Sequence, residues 1–198
     1  MSVLSLEIFL QNYEIYNEFG RVKKFGQVVY NDVSYPLVSI HYGNPKAPTL
    51  FINGGIHGLE RIGAQLTLSL LQSFHERLSW DSVLKNMLND LQVVFLPLAN
   101  PVGYFETTRS NGNGVDLMRN ANIAATENVP FLLGGHKKSN KIPWYRGNEH
   151  QTETDFVFSV VQDILSSSNT LVSLDIHSGF GFRDQLWFPF ANSKKPFT

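Results

Sequence analysis

The stretch that decides the fold is Thr49-Leu50-Phe51-Ile52-Asn53-Gly54-Gly55-Ile56-His57-Gly58-Leu59-Glu60-Arg61. Its apolar first half is typical of a strand buried on both faces of a mixed or parallel sheet. If a helix begins near Leu59, His57 and Glu60 stand three residues apart and can face one point. An imidazole and a carboxylate that converge make two of the three protein ligands of a catalytic zinc site. The pair also fits a solvated loop histidine and a first-turn acid favoured by the helix dipole.

The residues after this stretch predict a strand-helix-strand unit. A long helix is expected to pack one face on the sheet, because apolar residues recur at every fourth position, with Leu71 beside them: Ile62, Leu66, Leu70, Phe74 and Leu78. A short helix near residues 82–88 and a strand over residues 91–96 follow. Ligands of such units usually gather at the carboxyl ends of the strands.

The flanking segments predict the remaining elements of the sheet. Residues 5–19 favour an amphipathic helix, and residues 27–30 and 35–42 favour an antiparallel strand pair at a sheet edge. The segment from Asn100 to Tyr104 is expected to be a turn. Residues 156–165 indicate a helix capped by Thr152 and Asp155, and residues 171–176 a buried strand. The fold class is therefore α/β, with a mixed parallel and antiparallel central sheet, helices on both faces, and a single domain over residues 1–198.

Composition excludes several classes of function. Sixteen basic and seventeen acidic residues give a net charge of −1, so no field favours nucleic acid or an anionic membrane. The absence of cysteine excludes disulfides and thiolate ligands and leaves nitrogen and oxygen ligands for a metal. No segment approaches the roughly 20 apolar residues of a membrane span, and the N-terminus lacks a basic leader. We therefore expect a soluble, cytoplasmic protein.

A second histidine, His177, follows the predicted strand 171–176 just as His57 follows the strand that starts at Thr49. One strand-end histidine is more often a packing residue. Two such histidines with Glu60 are less easily explained in that way, because two His and one carboxylate are the ligand set of hydrolytic zinc enzymes.

Two arginines, Arg109 and Arg119, lie in a loop rich in turn residues. Guanidinium groups bind carboxylates and stabilise developing oxyanions, although loop arginines are usually solvated charges. Asp116 lies between them and could orient a ligand histidine.

These segments together resemble the zinc carboxypeptidase family, over residues 49–190 and in the family's order. The motifs are Gly54-Gly55-Ile56-His57-Gly58-Leu59-Glu60, Asn100-Pro101-Val102-Gly103, Arg109 with Gly114-Val115-Asp116-Leu117-Met118-Arg119-Asn120, and Asp175-Ile176-His177-Ser178-Gly179. The resemblance implies a Zn²⁺ ion held by His57, Glu60 and His177, with Asp116 bracing His57. It implies that Arg109 is catalytic, binding and polarising the scissile carbonyl, and that Arg119 receives the substrate carboxylate. The expected function is hydrolysis of a peptide or amide bond by metal-activated water, in a peptide or small amide with a free carboxylate.

Two departures from the family pattern keep an alternative open. Leu59 stands where the family often has Arg, and Met118 stands where it usually has Asn. A methionine cannot donate an amide hydrogen bond to a terminal carboxylate. The His-Gly-x-Glu form also resembles the murein-peptide amidases and the aspartoacylase and succinylglutamate desuccinylase group, so a small-molecule N-acyl amino acid deacylase is the alternative.

A third departure concerns the general base. The family resemblance implies a glutamate well downstream of the third ligand, but no Glu follows Glu153, and Asp184 is the only carboxylate beyond His177. Residues 185–190 suggest the start of an apolar strand. We therefore expect a fragment that lacks the C-terminal part of the fold, or else a chain that binds zinc without catalysis.

Overall fold

A computed structural model describes residues 5–121, 123, 129, 134–178, 183, 185 and 186. The helices are α1 (Leu6–Asn12), α2 (Arg61–Trp80), α3 (Ser82–Met87), α4 (Pro101–Glu106) and α5 (Thr152–Ser167), with 3-10 turns at Tyr13–Glu18 and Leu117–Arg119. The strands are β1 (Arg21–Tyr30), β2 (Val33–Gly43), β3 (Thr49–Gly54), β4 (Gln92–Leu96) and β5 (Leu171–Ile176). Within this part of the chain, no helix is both long enough and apolar enough to span a bilayer.

The strands form one mixed sheet in the order β1-β2-β4-β3-β5. β1 and β4 each pair with β2 antiparallel, whereas β3 is parallel to both β4 and β5. The predicted mixed sheet, its antiparallel edge pair and the strand-helix-strand unit are confirmed. In the ladder, Asn53 of β3 lies opposite Leu96 on one side and Asp175 on the other. Three parallel strands therefore end along the same edge.

The sheet has an apolar core on each face. One core joins the sheet to α1 and α2 through Phe9, Leu68, Leu71 and Phe95, among others. The other joins it to α5 through Phe51, Phe156 and Ile164. Helices therefore cover both faces, as predicted. Continuity of residues 1–198 as one domain stays a prediction.

The predicted buried face of α2 is wrong in its first half and correct towards its end. Ile62, Leu66 and Leu70 are exposed, whereas Leu71 and Leu78 are buried as predicted, together with Ala64 and Leu68. A row of every fourth residue advances by about 40° around a helix with 3.6 residues per turn. The row therefore starts on the solvent face at Ile62 and reaches the core at Phe74 and Leu78.

Two other local predictions are corrected. The segment predicted to be a turn is the helix α4, with Asn100 as its N-cap, whose side-chain oxygen accepts the Gly103 N–H at 2.9 Å. An Asn followed by Pro suits an N-cap and first helical position as well as a turn. Thr152 does not cap α5 but is its first residue, after Gln151.

The strand β5 is partly exposed rather than buried. Val172 is 55% exposed, and Leu174 is also exposed. β5 lies at one edge of the described sheet, next to β3 alone among the described strands. The predicted strand start at residues 185–190 lies outside the described residues, apart from Gln185 and Leu186.

Candidate metal centre

The first two candidate ligands lie in the loop between β3 and α2. His57 and Glu60 are both buried, and the Nδ1 of His57 is 2.9 Å from the Oε1 of Glu60. The pair does not stand on a turn of helix, because α2 begins only at Arg61. A tight turn brings them together instead, in which the N–H of Glu60 donates to the carbonyl of His57 at 3.1 Å. A separation of three residues therefore brings the two side chains together in this turn, as it would on a helix.

This loop is pressed against its neighbours, which limits how far His57 and Glu60 can move. A Cβ atom on Gly58 would lie 1.8 Å from the carbonyl carbon of Gly103 in α4. A Cβ atom on Gly63, early in α2, would lie 2.3 Å from the carbonyl oxygen of Ile176 in β5. Glycine at both positions therefore allows α2, α4 and β5 to meet at the edge where the three parallel strands end.

The third candidate ligand, His177, follows β5 at that edge. Its Nδ1 is 3.1 Å from the Oε2 of Glu60, and its ring centroid is 5.0 Å from that of His57. The backbone N–H of Ser178 also donates to Glu60 Oε2, at 2.9 Å. Glu60 therefore lies between the two imidazoles, with one carboxylate oxygen towards each.

These three side chains fit a zinc ion. Each offers one ligand atom, and the three atoms all lie within 4.8 Å of one another. Two imidazole nitrogens and one carboxylate oxygen are the donors that mononuclear hydrolytic zinc sites use, with a further position open. Imidazole donors disfavour calcium and magnesium, which take oxygen ligands. Both imidazoles present Nδ1 to Glu60, so Nδ1 is the candidate ligand atom in each.

Glu60 and His177 favour each other's charged forms. Burial opposes ionisation of Glu60, but hydrogen bonds from His177, His57 and the Ser178 N–H hold its pKa well below the usual range. Burial would lower the pKa of His177, but hydrogen bonds to Asp175 and Glu60 raise it to about 10. Glu60 therefore favours a positive charge beside it. A bound metal ion would supply that charge in place of the proton on His177.

Asp116 faces the other side of His57. Its carboxylate is fully buried, and its Oδ1 lies 3.4 Å from the Nε2 of His57. Its Oδ2 accepts hydrogen bonds from Arg109 Nε and Arg119 Nη1, each at 2.9 Å. Burial would raise the pKa of Asp116, but the contacts with His57, Arg119 and Arg109 lower it. Asp116 therefore binds two arginines and places a buried negative charge beside one candidate ligand.

The two arginines occupy different environments around the site. Arg109 is one-third exposed and places its Nη1 3.4 Å from Glu60 Oε1, beside the candidate ligands. Arg119 is more buried, and its guanidinium lies 5.7 Å from the ring centroid of Trp144. Met118, next to it, has an exposed side chain. Arg109 thus contacts a candidate ligand, and Arg119 is linked to the candidate metal centre through Asp116; their roles toward substrate stay predictions.

Asp175 also lies at the site, although its sequence position alone predicts no role for it. Its Oδ2 lies 2.8 Å from the Nε2 of His177, and its Oδ1 accepts from Asn53 Nδ2 at 3.1 Å. The available signal was the Asp-x-His spacing, since residues two apart on an extended chain share a face.

Comparisons with known proteins find similar sequences and similar folds. The model of the zinc carboxypeptidase family matches residues 9–197. Mouse carboxypeptidase A4 is 25% identical over 181 residues, which are 87% of this chain and 42% of that protein. The crystal structure of carboxypeptidase A from Helicoverpa armigera superposes with a TM-score of 0.64 at 20% identity, covering 89% of this chain and 45% of that one. Bovine thrombin-activatable fibrinolysis inhibitor, in complex with tick carboxypeptidase inhibitor, gives the same TM-score at 21% identity, covering 90% and 60% respectively.

These relatives are longer than this chain, which spans less than half the length of the mouse protein. The structural likeness, at about one-fifth identity, concerns the fold. The family match is broader, because it covers nearly the whole sequence and includes every candidate ligand. The chain therefore belongs to the zinc carboxypeptidase family.

Proposed function

We propose that this chain binds one zinc ion through His57, Glu60 and His177, and that the site serves hydrolysis of carboxypeptidase type. The observation that carries the proposal is the convergence of two imidazoles and one carboxylate, with ligand atoms within 4.8 Å of one another. Zinc, when bound, supplies Lewis acidity towards water and towards a scissile carbonyl.

In this proposal, Arg109 and Arg119 supply the other positive charges that act on the substrate. Arg109 lies beside Glu60 and is one-third exposed, so its guanidinium can reach both the candidate metal centre and solvent. It would donate to the carbonyl oxygen as negative charge develops there. Arg119 would receive the substrate carboxylate, as guanidinium groups commonly do. Its hydrogen bond to Asp116 holds the guanidinium group in one orientation.

The proposed substrate is a peptide or small amide that carries a free carboxylate close to the cleaved bond. Two cations within one cluster, next to the candidate ligands, support an anionic substrate. Met118 cannot donate a hydrogen bond to that carboxylate, so recognition would depend on Arg119 more than in relatives with an amide side chain at this position.

The metal site is tested by measuring bound zinc per chain after dialysis against trace zinc, using elemental analysis. Wild type is expected to retain one ion, and His57→Ala and Glu60→Gln are expected to lose it. His150→Ala is the matched control, because His150 lies outside the cluster and contacts Asp155 instead. Undiminished zinc in His57→Ala would overturn the site.

Activity is tested with a short N-blocked peptide that ends either in a free carboxylate or in an amide. Any zinc-dependent cleavage is expected for the free acid alone, and Arg119→Ala is expected to reduce that preference. Bound zinc without cleavage of either peptide would show that these 198 residues do not catalyse the reaction by themselves, and would leave the metal site standing.

A further inference from the structure

The two ring nitrogens of His177 face two different carboxylates. Nδ1 is 3.1 Å from Glu60 Oε2, in the candidate metal cluster, whereas Nε2 is 2.8 Å from Asp175 Oδ2. A histidine nitrogen binds a metal only without its proton. If Nδ1 is the ligand atom, the proton of the neutral ring must therefore reside on Nε2. The Nε2–H group can then donate a hydrogen bond to Asp175.

Asp175 is itself held in place by a buried residue. Its Oδ1 accepts a hydrogen bond from Asn53 Nδ2 at 3.1 Å, and Asn53 is only 3% exposed. Asn53 and Asp175 are register partners in the parallel ladder between β3 and β5. A chain of contacts thus runs from the sheet through Asn53 and Asp175 to the ring of His177.

The contact to His177 is shorter than its counterpart at His57. The Nε2 of His57 lies 3.4 Å from Asp116 Oδ1, beyond the usual range of 2.7–3.2 Å for a hydrogen bond from nitrogen. Asp116 is also shared with two arginines. Among the described residues, the carboxylate of Asp175 has hydrogen bonds with Asn53 and His177 alone.

We propose that Asp175, held by Asn53, is a positioning residue that fixes the tautomer and ring orientation of His177 for metal binding. The inference rests on the zinc site proposed above. Carboxylates that accept the second N–H of a ligating histidine are known to raise the basicity of the ligand and to fix its direction.

Zinc affinity and histidine tautomers together test this role. Affinity is measured on the full chain by competition with a chromophoric chelator, and the tautomer of His177 by NMR of the zinc-loaded chain with ¹⁵N-labelled histidine. Asp175→Ala is expected to weaken zinc binding by about 10- to 100-fold, the usual effect of losing such a partner. It is also expected to abolish the protected Nε2–H signal of His177.

A second variant separates the effect of the Asp175 side chain's shape from the effect of its negative charge. Asp175→Asn keeps the shape and one acceptor oxygen, so it is expected to preserve the Nε2–H tautomer and to lose less affinity than Asp175→Ala. Ser173→Ala, two residues earlier on the same face of β5, is the matched control and is expected to bind zinc as wild type does.

The outcomes are distinguishable. Wild-type affinity and an unchanged Nε2–H signal in Asp175→Ala would overturn the role of Asp175 while the zinc site stands. A wild-type chain that binds no zinc would overturn the site and this proposal with it. An equal loss in Ser173→Ala would also overturn it, because the effect would then belong to β5 as a whole.

Discussion

Replacing Asp116 by asparagine is expected both to destabilise the fold and to weaken zinc binding. Asp116 is fully buried and accepts hydrogen bonds from Arg109 and Arg119, each at 2.9 Å. Removing one partner of a buried ion pair costs about 3–5 kcal/mol. Both arginines retain some exposure and asparagine keeps one acceptor oxygen, so we expect the lower end, about 3 kcal/mol. Zinc affinity is expected to fall by about 10-fold or more, since Asp116 also faces the second nitrogen of His57.

The assay is urea unfolding followed by tryptophan fluorescence, with a chelator present so that metal binding does not contribute. Asp163→Asn is the matched control, because Asp163 pairs with Lys23 at the surface and both side chains are about half exposed. Exposed pairs contribute about 0–1 kcal/mol, so this control is expected to change little. A loss for Asp116→Asn no larger than that of the control would refute the reasoning.

Two further predictions concern the core and its response to pH. Leu71→Ala is expected to lower the free energy of unfolding by about 3 kcal/mol and the exposed Leu70→Ala by less than about 1 kcal/mol, and equal losses in urea titrations would contradict the assigned face of α2. Burial, together with the nearby Lys23, lowers the pKa of His41 to about 4. As pH falls below about 6.5, His41 therefore takes up a proton in the unfolded chain before it does so in the folded chain. This coupling is expected to remove up to about 3 kcal/mol of stability between pH 6.5 and 4; His41→Gln should flatten that part of the curve, and an unchanged slope between pH 7 and 4.5 would argue against it.

Much of the fold was predictable because its signals are local. Apolar runs located β3 and β4, and apolar periodicity located α2 between them. The burial of individual side chains was less predictable, because it depends on which distant parts of the chain pack against them. The run in β5 predicts a strand, but its place at the edge of the described sheet leaves Val172 and Leu174 exposed.

In the candidate site, too, some features could be predicted from the sequence and others could not. His57 and His177 each follow a strand, and parallel strands end along one edge, so their proximity could be inferred from chain order. The tight turn that orients Glu60 could not, because i, i+3 spacing does not distinguish a turn from a helix. The contact between Asp175 and Asn53 depends on the register of two strands, which local patterns do not specify.

The contact between Glu60 and His177 has a consequence for how this protein folds. It joins residues 117 positions apart, across the parallel pairing of β3 with β5. Such long-range parallel pairing is slow, because the entropy of closing the intervening chain is lost before the contacts compensate for it. Early intermediates would hold His57 and Glu60 but not His177 in place. Tight zinc binding should therefore appear only after β5 has docked, so the kinetics of metal capture would report the last steps of folding rather than the first.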